Sequence, residues 1–157
     1  MAKEYVNMRN LRFVLHEVFG VENFSKSSHY ADYTKDVVDM TIDTAKKIGD
    51  DLFFPIYTAM DKKKPHLENG VVTVHDDVRK IMDTMGEGGW IAAPASLEEG
   101  GQQMPGAVYA AANFIFHAAN TSAASFFGLT TGSSDLIRSF GSKELNETYV
   151  PHMDSGK

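Results

Sequence analysis

The chain contains no cysteine. That excludes disulfides, thiolate metal sites and a cysteine nucleophile, and it fits a cytoplasmic protein. Positive charge is also scarce. The net charge is -6, and beyond Lys46-Lys47 and Lys62-Lys63-Lys64 there is no basic cluster. A field of that sign repels phosphate, which argues against nucleic acid as a partner. The opening stretch MAKEYVNMRNLRFVLHEVFG lacks the uninterrupted apolar segment of a signal peptide, so Asn146-Glu147-Thr148 has no secretory context as a glycosylation triplet. Nor is any apolar run long enough to cross a bilayer. The most apolar stretch, residues 104–119, is short and carries Asn113 and His117 inside it.

What is present is enough apolar surface for one domain: 157 residues, 43% of them hydrophobic. Residues 104–134 are almost free of charge, and within them Val108, Ala111, Ile115 and Ala118 recur at helical spacing. Small, aromatic or aliphatic residues occupy nearly every face of 104–119, which predicts a helix in the middle of a bundle. The rest of the chain is amphipathic and can be laid against it. Residues 8–19 carry Leu11, Leu15, Val18 and Phe19 at helical spacing, stopped by Gly20. A long helix is expected from near Tyr30, with Val38, Ile42, Ala45, Ile48 and Leu52 inward. Asp36, Asp39, Asp43, Lys46 and Lys47 then face out, and Asp43 and Lys47 are spaced to pair. Pro55 should kink or break that helix, and the apolar spacing resumes at Ile56 and Met60.

Asn69-Gly70 before Val71 and Val72 reads as a tight turn into a short extended piece. Val78, Ile81, Met82 and Met85 define a further helix, opened by Asp76 and Asp77 and ended by Gly86, Gly88 and Gly89. Asn120-Thr121-Ser122 supplies N-cap chemistry for a helix over 122–140, and Ser142 caps a last one that Pro151 should stop. The fold class expected is all-α, a helical bundle of about six helices.

Few motifs point to chemistry. His16-Glu17 begins like a zinc-protease HExxH, but the second ligand position is Gly20, so His16 reads as ordinary helix surface. His29, His66, His75, His117 and His152 show no ligand spacing, and His117 on the apolar stretch reads as a hydrogen-bonded core histidine. Gly86-Glu87-Gly88-Gly89 lacks the residues of a phosphate loop, and Glu98-Glu99 reads as a solvated pair on a loop. Ser125, Gly128 and Gly132 are more informative, because they share one helix face. A glycine inside a helix costs ~1 kcal/mol relative to alanine, so two of them invite a reason. They either admit another helix at close range, or mark a break around Leu129-Thr130-Thr131-Gly132, or leave a groove beside Leu129 for an elongated apolar ligand.

The order of parts carries a family likeness. Gly89-Trp90, Pro94, the Glu98-Glu99-Gly100-Gly101 loop and the apolar helix are followed by Phe140-Gly141-Ser142-Lys143-Glu144, Tyr149-Val150-Pro151 and Ser155-Gly156-Lys157. This resembles the N-terminal α-helical domain of the acyl-CoA dehydrogenases. Residues 8–20 and Leu67-Glu68-Asn69-Gly70-Val71-Val72 look like a subgroup with an N-terminal extension, similar to the long-chain-type and methylmercaptopropionyl-CoA dehydrogenases. In the family's loop, Gln103 stands where another Gly is common, and two residues are inserted between Pro94 and the Glu-Glu pair. The division that follows is an N-terminal extension with a short helix over 1–29 and a bundle domain over 30–157.

The resemblance implies an FAD-dependent oxidation of the Cα–Cβ bond of an acyl-CoA thioester to the enoyl-CoA, in a homo-oligomer that passes electrons to a separate acceptor. A carboxylate base and the flavin N5 do that chemistry; in the family the base lies in a C-terminal helical domain, and the flavin sits between that domain and a middle β-domain. The sequence stops where the middle domain would begin. A fragment is therefore expected, inactive alone, with no catalytic residue, no FAD-binding residue and no metal ligand of its own. By position, Ser125, Gly128, Leu129 and Gly132 fall on the helix that lines one wall of the family's acyl-chain cavity, where small residues leave room for a longer or bulkier acyl group. The alternative is a free-standing helical binding or scaffold domain without catalysis.

Overall fold

Two phenylalanine rings place the centre of the molecule. Phe116 and Phe127 meet edge to face at 5.7 Å between centroids, although a straight helix would hold them ~16 Å apart. Both belong to the long helix α5 (Gly106–Phe140), whose backbone leaves helical geometry at Asn120, with φ -166 and ψ 96. The chain folds back there into two arms, residues 106–119 and 121–140. The computed structural model describes residues 4–157, and among these the buried apolar residues of the other helices pack around the two arms.

Asn120 is what the bend is built on. Its Oδ1 accepts the Ala123 N–H at 3.1 Å, the bond an N-cap makes to the third residue of its helix. Its Nδ2 donates to the Phe53 carbonyl at 3.2 Å and touches Met60 Sδ at 3.5 Å. The expected N-cap chemistry is present, on the first residue of Asn120-Thr121-Ser122. Phe53 in turn stacks on Phe116 at 5.3 Å, and Trp90 meets Phe116 edge-on at 5.2 Å.

Helix α1 (Met8–Phe13) is capped by Asn7 and continues as a wide turn through Val18, ended by Gly20 at φ 56. With it, Val6, Leu15 and Val21 enter the common core. Helix α2 (Lys35–Ile48) starts at Lys35 rather than near Tyr30, because Thr34 accepts the Val37 N–H and the preceding Ser28–Tyr30 is only a 3-10 turn. Val38, Ile42 and Ala45 are buried as expected. Around Pro55 the helix loosens into a π turn (Gly49–Phe53) and a 3-10 turn (Phe54–Ile56) before α3 (Tyr57–Lys62). Pro55 sits in the first turn of the 3-10 segment, where a missing N–H costs least.

The tight turn at Asn69-Gly70 joins a true hairpin, β1 (His66–Glu68) and β2 (Val71–Thr73), paired antiparallel with Leu67 opposite Val72. Both turn residues have positive φ, 50 and 81, as a two-residue hairpin turn requires. Helix α4 (Asp77–Glu87) buries Val78, Ile81 and Met85 against α5. Helix α6 (Lys143–Asp154), capped by Ser142, closes the bundle against the second arm. Six α-helices and one small hairpin among the described residues make the all-α bundle expected.

Four expectations need correction. The first arm is not apolar all round: Phe114 is 54% exposed, and His117 lies on the surface rather than in the core. Once the arms fold together, each needs to bury only the face toward its partner helices. His16, read as helix surface, is instead buried, with Nδ1 3.3 Å from Glu22 and Nε2 3.2 Å from Asp39. Asp43 pairs not with Lys47 but with Arg12 of α1, which lies across α2 and also reaches Asp39 at 3.2 Å. Lys47 bonds Asp51 at 2.6 Å instead. Finally, Pro151 does not stop α6. It lies on an exposed face beside Glu147, so water can satisfy the carbonyl it leaves free, and Asp154 anchors the last turn from beyond it.

Candidate functional site

The fold-back creates an open groove of about 460 Å³ along the two arms of α5. Ser125, Gly128, Leu129 and Gly132 all line it from the second arm. Neither a break nor a packed helix is seen at the glycines among the described residues. The second arm runs unbroken through Gly132, and a Cβ added at Gly128 or Gly132 would meet nothing within 4 Å among the described residues outside its own stretch of helix. The glycines face open space, and Leu129 beside them is 74% exposed.

The walls are less polar than their composition suggests. Ser125 Oγ donates to the Thr121 carbonyl at 2.8 Å, Thr131 Oγ1 to the Phe127 carbonyl at 3.2 Å, and Asn113 Nδ2 to the Tyr109 carbonyl at 3.1 Å. These three side chains are satisfied on their own helix, which leaves Tyr109, His117 and Asp135 as the polar groups of the lining. Asp135 ends the groove, and burial raises its pKa against the opposing pull of Arg138. Arg138 bonds Asp135 at 3.1 Å and also Asp154, which accepts the Ser134 hydroxyl at 2.7 Å. This network ties the second arm to α6.

Sequence reasoning missed Tyr109, Asn113 and His117, which line the groove from the first arm. Their signal was present as polar interruptions four apart on an apolar stretch. On the loop before α5, Ser96 and Glu99 form a capping box: Ser96 Oγ donates to Glu99 Oε2 at 2.6 Å and the Ser96 N–H does so at 3.2 Å. These bonds hold the Glu99 carboxyl below its usual range. Gln103 closes the loop at φ 51, with its N–H on the Ala95 carbonyl at 2.8 Å. No group of three or more His, Asp or Glu residues suited to a metal ion occurs among the described residues, and no helix there is long and apolar enough to cross a membrane.

Two comparisons bear on this geometry. The family described as acyl-CoA dehydrogenase, N-terminal domain, matches residues 38–157. Comparison with individually curated proteins gave no match.

Proposed function

The chain belongs to the acyl-CoA dehydrogenase N-terminal domain family, and on that premise we propose that it forms the substrate-side helical domain of an FAD-dependent enzyme that oxidises the Cα–Cβ bond of an acyl-CoA to the enoyl-CoA. The acyl chain lies in the groove of α5, over Ser125, Gly128, Leu129 and Gly132. The observation that carries this reading is the open space in front of both glycines. Each glycine costs the helix ~1 kcal/mol relative to alanine, and among the described residues no other helix packs on either one. A flexible chain laid in the groove would exclude water from the Leu129 side chain and from the bare backbone beside it.

FAD, when bound, accepts the hydride in this chemistry. The residues around the groove do not fit that flavin. Its diphosphate needs cations or free N–H donors, whereas the arginine next to the groove, Arg138, is held by Asp135 and Asp154. In this proposal the flavin and the base belong to parts of the enzyme other than residues 4–157, and the domain supplies shape: it orients the acyl chain and excludes water from it. The likeness to the long-chain-type and methylmercaptopropionyl-CoA subgroup rests on residues 8–20 and the hairpin, and the family match lends that subgroup no support.

The test is chain-length dependence. Calorimetric titration of the protein with acyl-CoA thioesters of increasing length should give tighter binding as the chain lengthens, until the groove is filled. Gly128→Leu places a side chain in the open space and should weaken the longer thioesters first, by about tenfold for each two methylenes displaced at ~0.8 kcal/mol each. An unchanged length profile in Gly128→Leu sinks the proposal.

A further inference from the structure

A second groove lies away from the first and shares no lining residue with it. Helices α2 and α4 both pack on α5, and between them run two connected lobes of about 390 and 400 Å³, joined at Thr44, Ile48 and Thr84. One end holds Lys47, Asp51 and Lys80. The other is closed by Trp90 and Met104. Gly88 is what lets the indole sit there, since a Cβ at that position would meet Trp90 Cδ1 at 2.8 Å.

The two ends differ in kind. At the polar end Lys47 is bonded to Asp51 at 2.6 Å, so the pair is neutral. Lys80 has no ion-pair partner among the described residues, which leaves a single free ammonium. Along the walls the threonine hydroxyls are already used: Thr41, Thr44 and Thr84 each donate to a carbonyl of their own helix, at 2.8, 2.7 and 2.8 Å. They add no free donor to a groove floored by Ile48 and Leu52. An extended peptide would find no partners for its backbone here. A single negative charge on an apolar tail matches both ends.

We propose that this groove binds a medium-chain fatty acid as its free carboxylate, head on Lys80 and tail running past Ile48 to Trp90 and Met104. The run of α4 from Lys80 to Gly88 provides ~12 Å for it. The site is separate from the acyl groove of α5, and it stands or falls independently of the function proposed above.

Trp90 is the only tryptophan in the chain and lines the site, so its fluorescence reports occupancy. Sodium decanoate, titrated below its micelle-forming range, should produce a saturable change in Trp90 emission. Decanol, with the same tail and no charge, should bind about three- to five-fold more weakly, and Lys80→Gln should lose a similar factor for decanoate, the scale of one exposed ion pair. Lys80 is exposed, so the substitution leaves the core intact. An absent or non-saturable change overturns the proposal, as does equal binding of decanol and decanoate. Unaltered affinity in Lys80→Gln does so as well.

Discussion

Replacing Asn120 by alanine tests how the molecule is folded around its long helix. Asn120 is 2% exposed and performs two tasks at once. Losing its Oδ1 removes the N-cap bond to Ala123, worth ~1 kcal/mol. Losing its Nδ2 strips the partner from the buried Phe53 carbonyl, at a cost of ~1–3 kcal/mol. The sum, ~2–4 kcal/mol, is a large share of the ~5–15 kcal/mol that holds a domain together. At ~2–4 °C per kcal/mol for a chain of this size, the melting temperature should fall by roughly 10 °C.

Urea unfolding followed by circular dichroism measures the loss directly, and a second variant separates its two parts. Asn120→Asp keeps the acceptor for Ala123 and adds a favourable charge at a helix N-terminus. It cannot donate to Phe53, and it places a carboxylate in a dry site. Its deficit should therefore shrink at acid pH, where the protonated carboxyl recovers an O–H donor, while the deficit of Asn120→Ala stays flat. A loss below ~0.5 kcal/mol in Asn120→Ala would refute the reasoning. The packing of Phe116 on Phe127 would then suffice to set the bend.

Arg138→Leu should destabilise by ~3–5 kcal/mol, because the side chain is 7% exposed and its removal leaves the partly buried Asp154 carboxylate without its cation. Thermal unfolding checks this, and a cost under ~1 kcal/mol would mean that the Ser134–Asp154 and Asn146–Ile137 bonds hold the second arm to α6 without the arginine. Asp135 has a folded pKa raised by burial, so its contribution to stability is complete below the unfolded pKa and is lost as pH rises through the folded one. Asp135→Asn should accordingly gain on wild type as pH rises out of the acid range, and parallel stability curves would contradict it. Glu99 has the opposite sign. Its folded pKa is lowered by the bonds from Ser96, so its stabilisation is present above the unfolded pKa and is lost as pH falls through the folded one. Glu99→Gln should remove that part of the acid sensitivity of unfolding, as urea midpoints measured across the acid range would show.

Much of this fold is legible without coordinates because it is written in local terms. The inward stripe of Val38, Ile42 and Ala45, the Asn69-Gly70 turn and the Ser142 cap each depend on residues within a turn or two of one another. What was not legible depends on which element lies opposite. Asp43 and Lys47 have ideal spacing for a pair, but Arg12 arrives from another helix and takes Asp43. His16 looks like surface until α2 brings Asp39 against its ring. His117 looks like core until the arm it sits on turns that face to water. Spacing describes a helix face, and only packing decides which face is buried.

The glycines make the same point about function. Gly128 and Gly132 carry identical local information whether they admit a helix, mark a break or floor a groove, since the cause lies across the gap from them. The competing accounts assign different distances to that gap: backbone contact for a packed helix, a lost hydrogen-bond ladder for a break, empty space for a groove. Empty space is what the structure places there, with nothing among the described residues outside the local helix within 4 Å of where a Cβ would stand on either glycine. Their helical cost makes these residues conspicuous, and the distance across the gap is the one observation on which the proposed acyl-chain site rests.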